Sequence, residues 1–332
     1  YFDESTNAVN SYPNGAGSYG FYRIIQKISA NSYIVERKGL LNDIVSGSGL
    51  TAYLAAAANA GTAHCGVYVT RVVEAKNFVF GGGGRVLTAT PFNPTTGGGV
   101  VALRINGTID FTDNLSALDA SGRGHQVGAS ASDYGGGYGG AGGAVDTLSG
   151  GQGATGANSA GGGAGAGGNG GDSFNGMIGG QSFATDRLAF GSAGGQDSGA
   201  SNSPGAYDGA GGGIVFLSAR RIHVSGTANN SFIKSYGNDG VANSAPGGGG
   251  SIQVNAPEII VDAGNTFNIL AHGGAAASGN PGVGGGGQLE VNSCDYDTSL
   301  WSVNISVGST GFFNGASADT WDPSQIWGNC YH

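Results

Sequence analysis

The stretch GGGGSIQVNAPEIIV, residues 247–261, decides the fold, because a glycine run is followed by alternating apolar residues and because the unit recurs. Glycine triplets begin at Gly211, Gly248 and Gly285, and a strand-like segment follows each one directly. These starts give a period of about 37 residues, which lies within the range of stacked repeats. An earlier copy opens with the triplet at residues 97–99.

The first strand of each copy shows which side chains should point inward, because successive residues of a strand face opposite sides. The inner positions of all four copies are aliphatic, whereas the aligned outer positions share no chemistry. Such a pattern predicts layers that bury one common core. The predicted core residues are Val101, Leu103, Val215, Leu217, Ile252, Val254, Leu289 and Val291. The outer positions are Ala102, Phe216, Gln253 and Glu290.

Second and third strand-like segments follow in each copy, as in Ile259–Val261 and Ile269–Ala271. The sequence therefore predicts an all-β fold, a parallel β-solenoid or β-helix with three short strands per layer. The pattern leaves open whether the layers close as a helix or lie as stacked sheets. Residues 81–122 would form the first solenoid rungs, and residues 211–293 the later repeats.

Residues 123–210 interrupt the repeats as a glycine-rich insert. Glycine loses the most conformational entropy on ordering, which favours disorder. Glycine segments of the polyproline-II type can also pack closely enough to hydrogen-bond laterally, and apolar residues such as Phe174 and Phe190 suit an ordered structure. We predict an ordered polyglycine-II-like bundle, with disorder as the alternative.

The two ends of the chain differ from the repeats. Residues 1–80 predict a β-rich N-terminal cap that protects an open sheet edge, with a hairpin formed by Tyr19–Ile25 and Tyr33–Val35. Residues 294–332 predict an aromatic C-terminal cap. Its tryptophans, Trp301, Trp321 and Trp327, would alternatively form a contact surface.

The composition narrows the possible partners and compartment. Of 332 residues 70 are Gly, only 11% are charged, and the net charge is −9 without a basic stripe. Nucleic acid is therefore not expected as a partner, because binding it requires neutralised phosphates. Membrane insertion is not expected either, because no apolar run approaches the ~20 residues of a spanning helix. A start at Tyr1 suits a secreted, mature protein at the cell surface, with a trimmed chain as the alternative.

The chain has three cysteines, and a disulfide between two of them would suit an oxidising compartment. Cys294 and Cys330 bracket the C-terminal segment and are the predicted disulfide pair, with free thiols as the alternative. Cys65 would then be left over. The spacing matches no zinc pattern.

The order of these segments resembles a known class. The chain contains, in order, the hairpin GFYRIIQKISANSYIVER, the unit GGGVVALRINGTIDF, a long glycine-rich run, and the returning units GGGGSIQVNAPEIIV and GGGGQLEV. This order resembles that of the glycine-rich repeat modules of bacterial secreted surface proteins and adhesins. The insert alone is similar to the polyglycine-II bundles of phage long-tail-fibre tip adhesins. In those phage proteins, loops at the end of the bundle contact host receptors.

Few residues are candidates for metal binding or catalysis. The segment 167–175 fits one nonapeptide of a calcium-binding β-roll, with Asp172 as the carboxylate, but one copy cannot complete a Ca²⁺ site. No cofactor is expected, and Ca²⁺ is the weak candidate. Asp110 and His223 could be neighbours, and Asp119 could pair with Lys234, although mixed charges usually mark a solvated face. A polysaccharide-degrading enzyme is a less favoured function than either a structural or an adhesive role.

The sequence thus predicts a non-enzymatic, extracellular structural or adhesive protein. The first hypothesis is a subunit of a surface filament or coat, whose partners are copies of itself. The alternative is an adhesin tip, cellular or phage, that binds a glycan or protein receptor.

Overall fold

The structure is a computed structural model, and it describes residues 2–4, 22–29, 32–37, 66–68, 70–92, 97–126, 188, 190–194, 209–240, 245–276, 282–306 and 308. The chain divides into two compact units, residues 1–70 and residues 71–332.

The first unit contains two antiparallel strand pairs. Its described strands are β1 (Phe2–Glu4), β2 (Tyr22–Ser29), β3 (Ser32–Arg37) and β4 (Gly66–Tyr68). β1 pairs with β4, and β2 pairs with β3. The pairing of β2 with β3 confirms the predicted hairpin. Ile24, Ile25 and Ile28 of β2 are exposed.

The second unit contains two parallel sheets. Its strands in chain order are β5 (Val73–Ala75), β6 (Phe78–Phe80), β7 (Val86–Thr88), β8 (Val100–Phe111), β9 (Ala117–Asp119), β10 (Ile214–Val224), β11 (Asn230–Lys234), β12 (Ser251–Asn255), β13 (Glu258–Val261), β14 (Thr266–Leu270), β15 (Gln288–Asn292), β16 (Asp295–Tyr296) and β17 (Trp301–Asn304). The second sheet runs in the order β17-β14-β11-β9-β7, and the other eight strands form the first sheet.

The register follows the glycine triplets. β10 pairs with β8 on one side and with β12 and then β13 on the other, while β12 pairs with β15. Val215 lies opposite Ile252, and Ile252 lies opposite Leu289. Equivalent residues of successive copies are therefore direct neighbours.

The two sheets share one apolar core. Seven of the eight predicted core residues are buried, and the eighth, Leu289, is half-buried. Aromatic rings continue the core between strands: the rings of Phe80 and Phe111 stack at 4.7 Å, and the Phe267 ring lies 6.2 Å from that of Phe111 and 5.9 Å from that of Trp301. The core thus consists of rows of similar residues that cross the strands.

The predicted fold class is wrong. We expected a parallel β-solenoid or β-helix with an inserted polyglycine-II-like bundle and a β-rich N-terminal cap, whereas the structure is strand-rich with two parallel sheets. The first and second predicted strands of two copies are joined as the single strands β8 and β10, so these two copies do not contain three short strands. Residues 1–70 form a compact unit of their own. Most of the insert lies outside the described residues.

The outer positions of the first sheet also differ from expectation. Ala102, Phe216 and Gln253 are buried, and of the four predicted outer positions Glu290 is exposed. Strands of parallel sheets are commonly covered on both faces, so their outer positions need not be polar. Alternation therefore identified the inner face but overstated the exposure of the other.

Glycine segments connect the two sheets. Gly211 donates its N–H to His125 O at 2.9 Å, Gly212 to Gly248 O at 2.9 Å and Gly213 to Ala120 O at 2.7 Å, so three successive donors reach three different neighbours. A Cβ on Gly212 would overlap the carbonyl oxygen of Ser235. We call these segments, residues 122–125, 191–194, 209–213, 237–238, 247–250, 273–274 and 284–287, the glycine layer. At most of its glycines the backbones approach so closely that a side chain would not fit.

Candidate functional site

A polar cluster lies on the outer face of the first sheet. His223 Nδ1 lies 3.5 Å from Asp110 Oδ1, and its Nε2 lies 3.1 Å from Asp262 Oδ1. The Ser225 hydroxyl donates to Asp110 Oδ1 at 2.8 Å. The register places His223 opposite Asp110, which confirms that expected proximity, while Asp262 follows β13 and was not predicted.

This cluster can tie three strands together. A neutral imidazole donates from only one ring nitrogen, whereas the protonated ring donates from both and can satisfy Asp110 and Asp262 together. Asp110 also accepts the hydrogen bond from Ser225, so both carboxylates already have partners within the protein. The arrangement suits cross-strand stabilisation better than acid–base catalysis.

The other predicted charge pair is not formed as expected. Lys234 lies opposite Asp119 in the register. Its Nζ lies 4.3 Å from the centroid of the Phe232 ring, and Asp119 Oδ1 accepts a hydrogen bond from the Ser121 N–H at 2.9 Å. Register alone therefore did not determine the contacts of these side chains.

An aromatic pair lies just beyond the second sheet. The rings of Tyr236 and His272 stack with centroids 4.8 Å apart and 3° between their planes. Burial is the largest cause that raises the pKa of the Tyr236 phenol, followed by the negative charge of Asp119, and hydrogen bonding to Ser121 partly opposes this rise. Tyr236 is therefore held in its neutral form at ordinary pH.

We expect Asp119→Asn to bring the pKa of Tyr236 closer to its ordinary value, because a nearby negative charge disfavours the phenolate. Because the pKa of Tyr236 is higher in the folded state than in the unfolded state, its contribution to folding stability is fully present below the unfolded-state pKa of about 10. That contribution is lost as the pH rises through the folded-state pKa. Ultraviolet titration of the phenolate, taken as a difference from Tyr236→Phe, would measure the shift. A Tyr236 titration that Asp119→Asn leaves unchanged would contradict this prediction.

Buried asparagines form a second polar feature, which the sequence reasoning missed. Asn229 and Asn265 are buried, and the Asn229 N–H donates to Asn265 Oδ1 at 2.9 Å. The Asn229 side chain donates to Phe111 O at 2.7 Å and to Ser225 O at 2.8 Å. The recurrence of asparagine near the repeat period was the signal available for finding this network.

Other predicted site residues have varied outcomes. Cys294 is disulfide-bonded, and its pairing with Cys330 stays a prediction. Trp301 is half-buried and packs against Phe267, as a core-edge residue does. The predicted positions outside the described residues are Cys65, Asp172, Trp321, Trp327 and Cys330. In the part that the structure describes, no group of three or more His, Cys, Asp or Glu side chains could hold a metal ion.

The edge strands at the two ends of the sheets are the strongest candidate for a functional surface. Among the described strands, β5, β6 and β7 at one end, and β15, β16 and β17 at the other, have a neighbour on one side only. The Gln288 N–H donates to Gly250 O, and Asn292 O accepts from Ala256 N, so both residues face β12. The backbone groups of Leu289 and Val291, which alternate with them, therefore point away from β12.

None of the described helices is long and apolar enough to cross a membrane. No protein-family model, no curated protein and no solved structure matches this chain.

Proposed function

We propose that this chain is a non-enzymatic, extracellular structural protein, a subunit of a surface filament or coat whose partners are copies of itself. The observation that carries this proposal is that, in the described part of the chain, both parallel sheets end at each end in strands that pair on one side only. Unpaired strand edges are ready templates for pairing with another chain. Strand addition of this kind is a recurring mode of protein recognition.

The composition of the core supports a mechanical role. Rows of aliphatic and aromatic side chains run across the strands, and the glycine layer joins the sheets through backbone hydrogen bonds. The described polar clusters link neighbouring strands rather than converge on a substrate-sized cleft. Such a body suits a load-bearing element better than a catalyst.

The disulfide at Cys294 supports an extracellular location, because disulfides persist in oxidising compartments such as the cell exterior. Only 11% of the residues are charged, so a densely packed assembly of copies would bury few charged groups. Both observations fit the filament or coat better than a cytosolic role.

Electron microscopy of the purified protein would test this function. We expect regular fibres or sheets that lengthen as protein concentration rises. Discrete particles that bind cells would contradict the structural role and favour the adhesin alternative. Sedimentation of the same samples would provide an independent measure of assembly.

A further inference from the structure

The two ends of the sheets carry opposite charge. At the end formed by β15, β16 and β17, the exposed carboxylates are Glu290, Asp295 and Asp297, and residues 282–306 contain no Lys or Arg. We call this surface the acidic end.

The opposite end has the reverse balance. Along β5, β6, β7 and their connections, Arg71, Lys76 and Arg85 are exposed. Glu74 is the one carboxylate within residues 70–92, and it lies 3.7 Å from Arg104 Nη1 on the neighbouring strand. Three cations therefore face two carboxylates: Glu74, which is already close to another arginine, and Asp113, which accepts a hydrogen bond from the Gly83 N–H at 2.8 Å. We call this surface the basic end.

Both ends leave part of the apolar core incompletely covered. Of the eight partly buried hydrophobic residues that pack against the core, six lie on edge strands: Ala75, Phe78 and Leu87 at the basic end, and Leu289, Trp301 and Val303 at the acidic end. Residues of the same rows in the interior strands are fully buried. An added layer at either end would remove this apolar surface from water.

The register shows which residues such a layer would bring together. Val73 lies opposite Leu103, and the same row continues through Leu217 and Val254 to Val291. Because every strand pair in the two sheets is parallel, the edge strands of one copy can follow those of another without any reversal of direction. Continued stacking would set Val73 against Val291, Phe78 against Tyr296, and Leu87 against Val303.

We propose that copies of this chain join head to tail, with the acidic end of one copy on the basic end of the next. This inference rests on the proposed structural function and adds the surfaces and polarity of the junction. The junction is heterologous, because two different surfaces meet, and a heterologous junction whose rotation does not close a ring generates an open filament. Asp295 would lie beside Asn77, next to the cation of Lys76.

Charge complementarity at this junction should act chiefly on association. Complementary surfaces steer encounters and suppress wrong orientations, such as two acidic ends meeting. Salt screens exposed charges over a Debye length of about 10 Å at 0.1 M ionic strength. Filament growth should therefore slow as salt rises, while the apolar contacts between the end strands persist.

Two charge-reversed variants test the proposal. Glu290→Lys with Asp295→Lys makes both ends basic, and Lys76→Glu with Arg85→Glu makes both ends acidic. We expect each variant alone to assemble about tenfold more weakly at low salt, because like charges meet at the junction. An equimolar mixture of the two should recover assembly, since alternating copies again present opposite charges.

Lys234→Glu, on the outer face of the second sheet, is the matched control for a change of charge away from the ends. A chain that carries all four end substitutions should assemble like the original protein, which excludes misfolding as the cause. Sedimentation and electron microscopy would measure all samples. Filaments that form equally well from each variant alone would overturn the charged junction but leave the structural function standing, whereas failure of the unaltered protein to assemble would overturn the function itself.

Discussion

Gly249→Ala should lower the free energy of unfolding by about 3 kcal/mol or more, at the upper end of what overpacking costs. Gly249 lies in the glycine layer, where its N–H donates to Gly285 O at 3.0 Å. A Cβ at this position would overlap the carbonyl oxygen of Ala271 and lie 2.6 Å from the amide nitrogen of Gly287. These are backbone atoms of two neighbouring segments, so a rotamer change cannot relieve the clash.

Gly264→Ala is the matched control for this substitution. Nothing lies within 4 Å of a Cβ at Gly264, but its φ is +84°, so alanine should cost only the about 1–2 kcal/mol of a left-handed backbone. Chemical denaturation of the two variants would give the comparison. Equal losses would show that the glycine layer tolerates side chains, which would contradict the close backbone packing.

Asn229→Ala should lower the free energy of unfolding by about 2–4 kcal/mol, because buried polar groups lose their partners. The Asn229 side chain donates to Phe111 O and to Ser225 O, and its Oδ1 accepts from the Ser231 hydroxyl at 2.8 Å. Asn229 is 1% exposed, so water cannot readily replace the lost partners. The substitution thus loosens the connection between β10 and β11.

Asn230→Ala is the matched control, because it makes the same substitution one residue later, where the side chain is exposed. Its backbone N–H donates to Asn114 Oδ1 at 3.0 Å, a contact that alanine keeps. We expect a change within about 0.5 kcal/mol, as for most surface substitutions. Thermal unfolding of both variants would distinguish them. A similar midpoint for the two would show that the buried amide network contributes little.

Much of the strand register could be predicted from the repeat. Equivalent triplets placed Val215, Ile252 and Leu289 in one row, because parallel strands align equivalent residues. The continuity of β8 and β10 was not predicted, since the polar residues near their centres resemble a turn. Arg221 of β10 is instead accommodated at a register shift and contacts Glu258 Oε2 at 2.5 Å.

The candidate surfaces were less accessible to sequence reasoning. The proximity of Asp110 and His223 followed from alignment of the copies, but Asp262 lies after its strand and is placed beside His223 only by the three-dimensional fold. The charge difference between the ends depends on which strands are outermost, and β5 and β6 do not begin with a glycine triplet. Lys76 and Asp295 therefore carried no sequence signal of a shared role.

The long separation between paired strands has a kinetic consequence. Ser225 and Asp110, on the neighbouring chain segments of β10 and β8, are 115 residues apart in sequence. Chains dominated by such distant contacts fold slowly, because closing large loops precedes the gain from pairing. Newly made molecules would therefore spend an extended time with uncovered apolar strands, which favours aggregation before folding is complete.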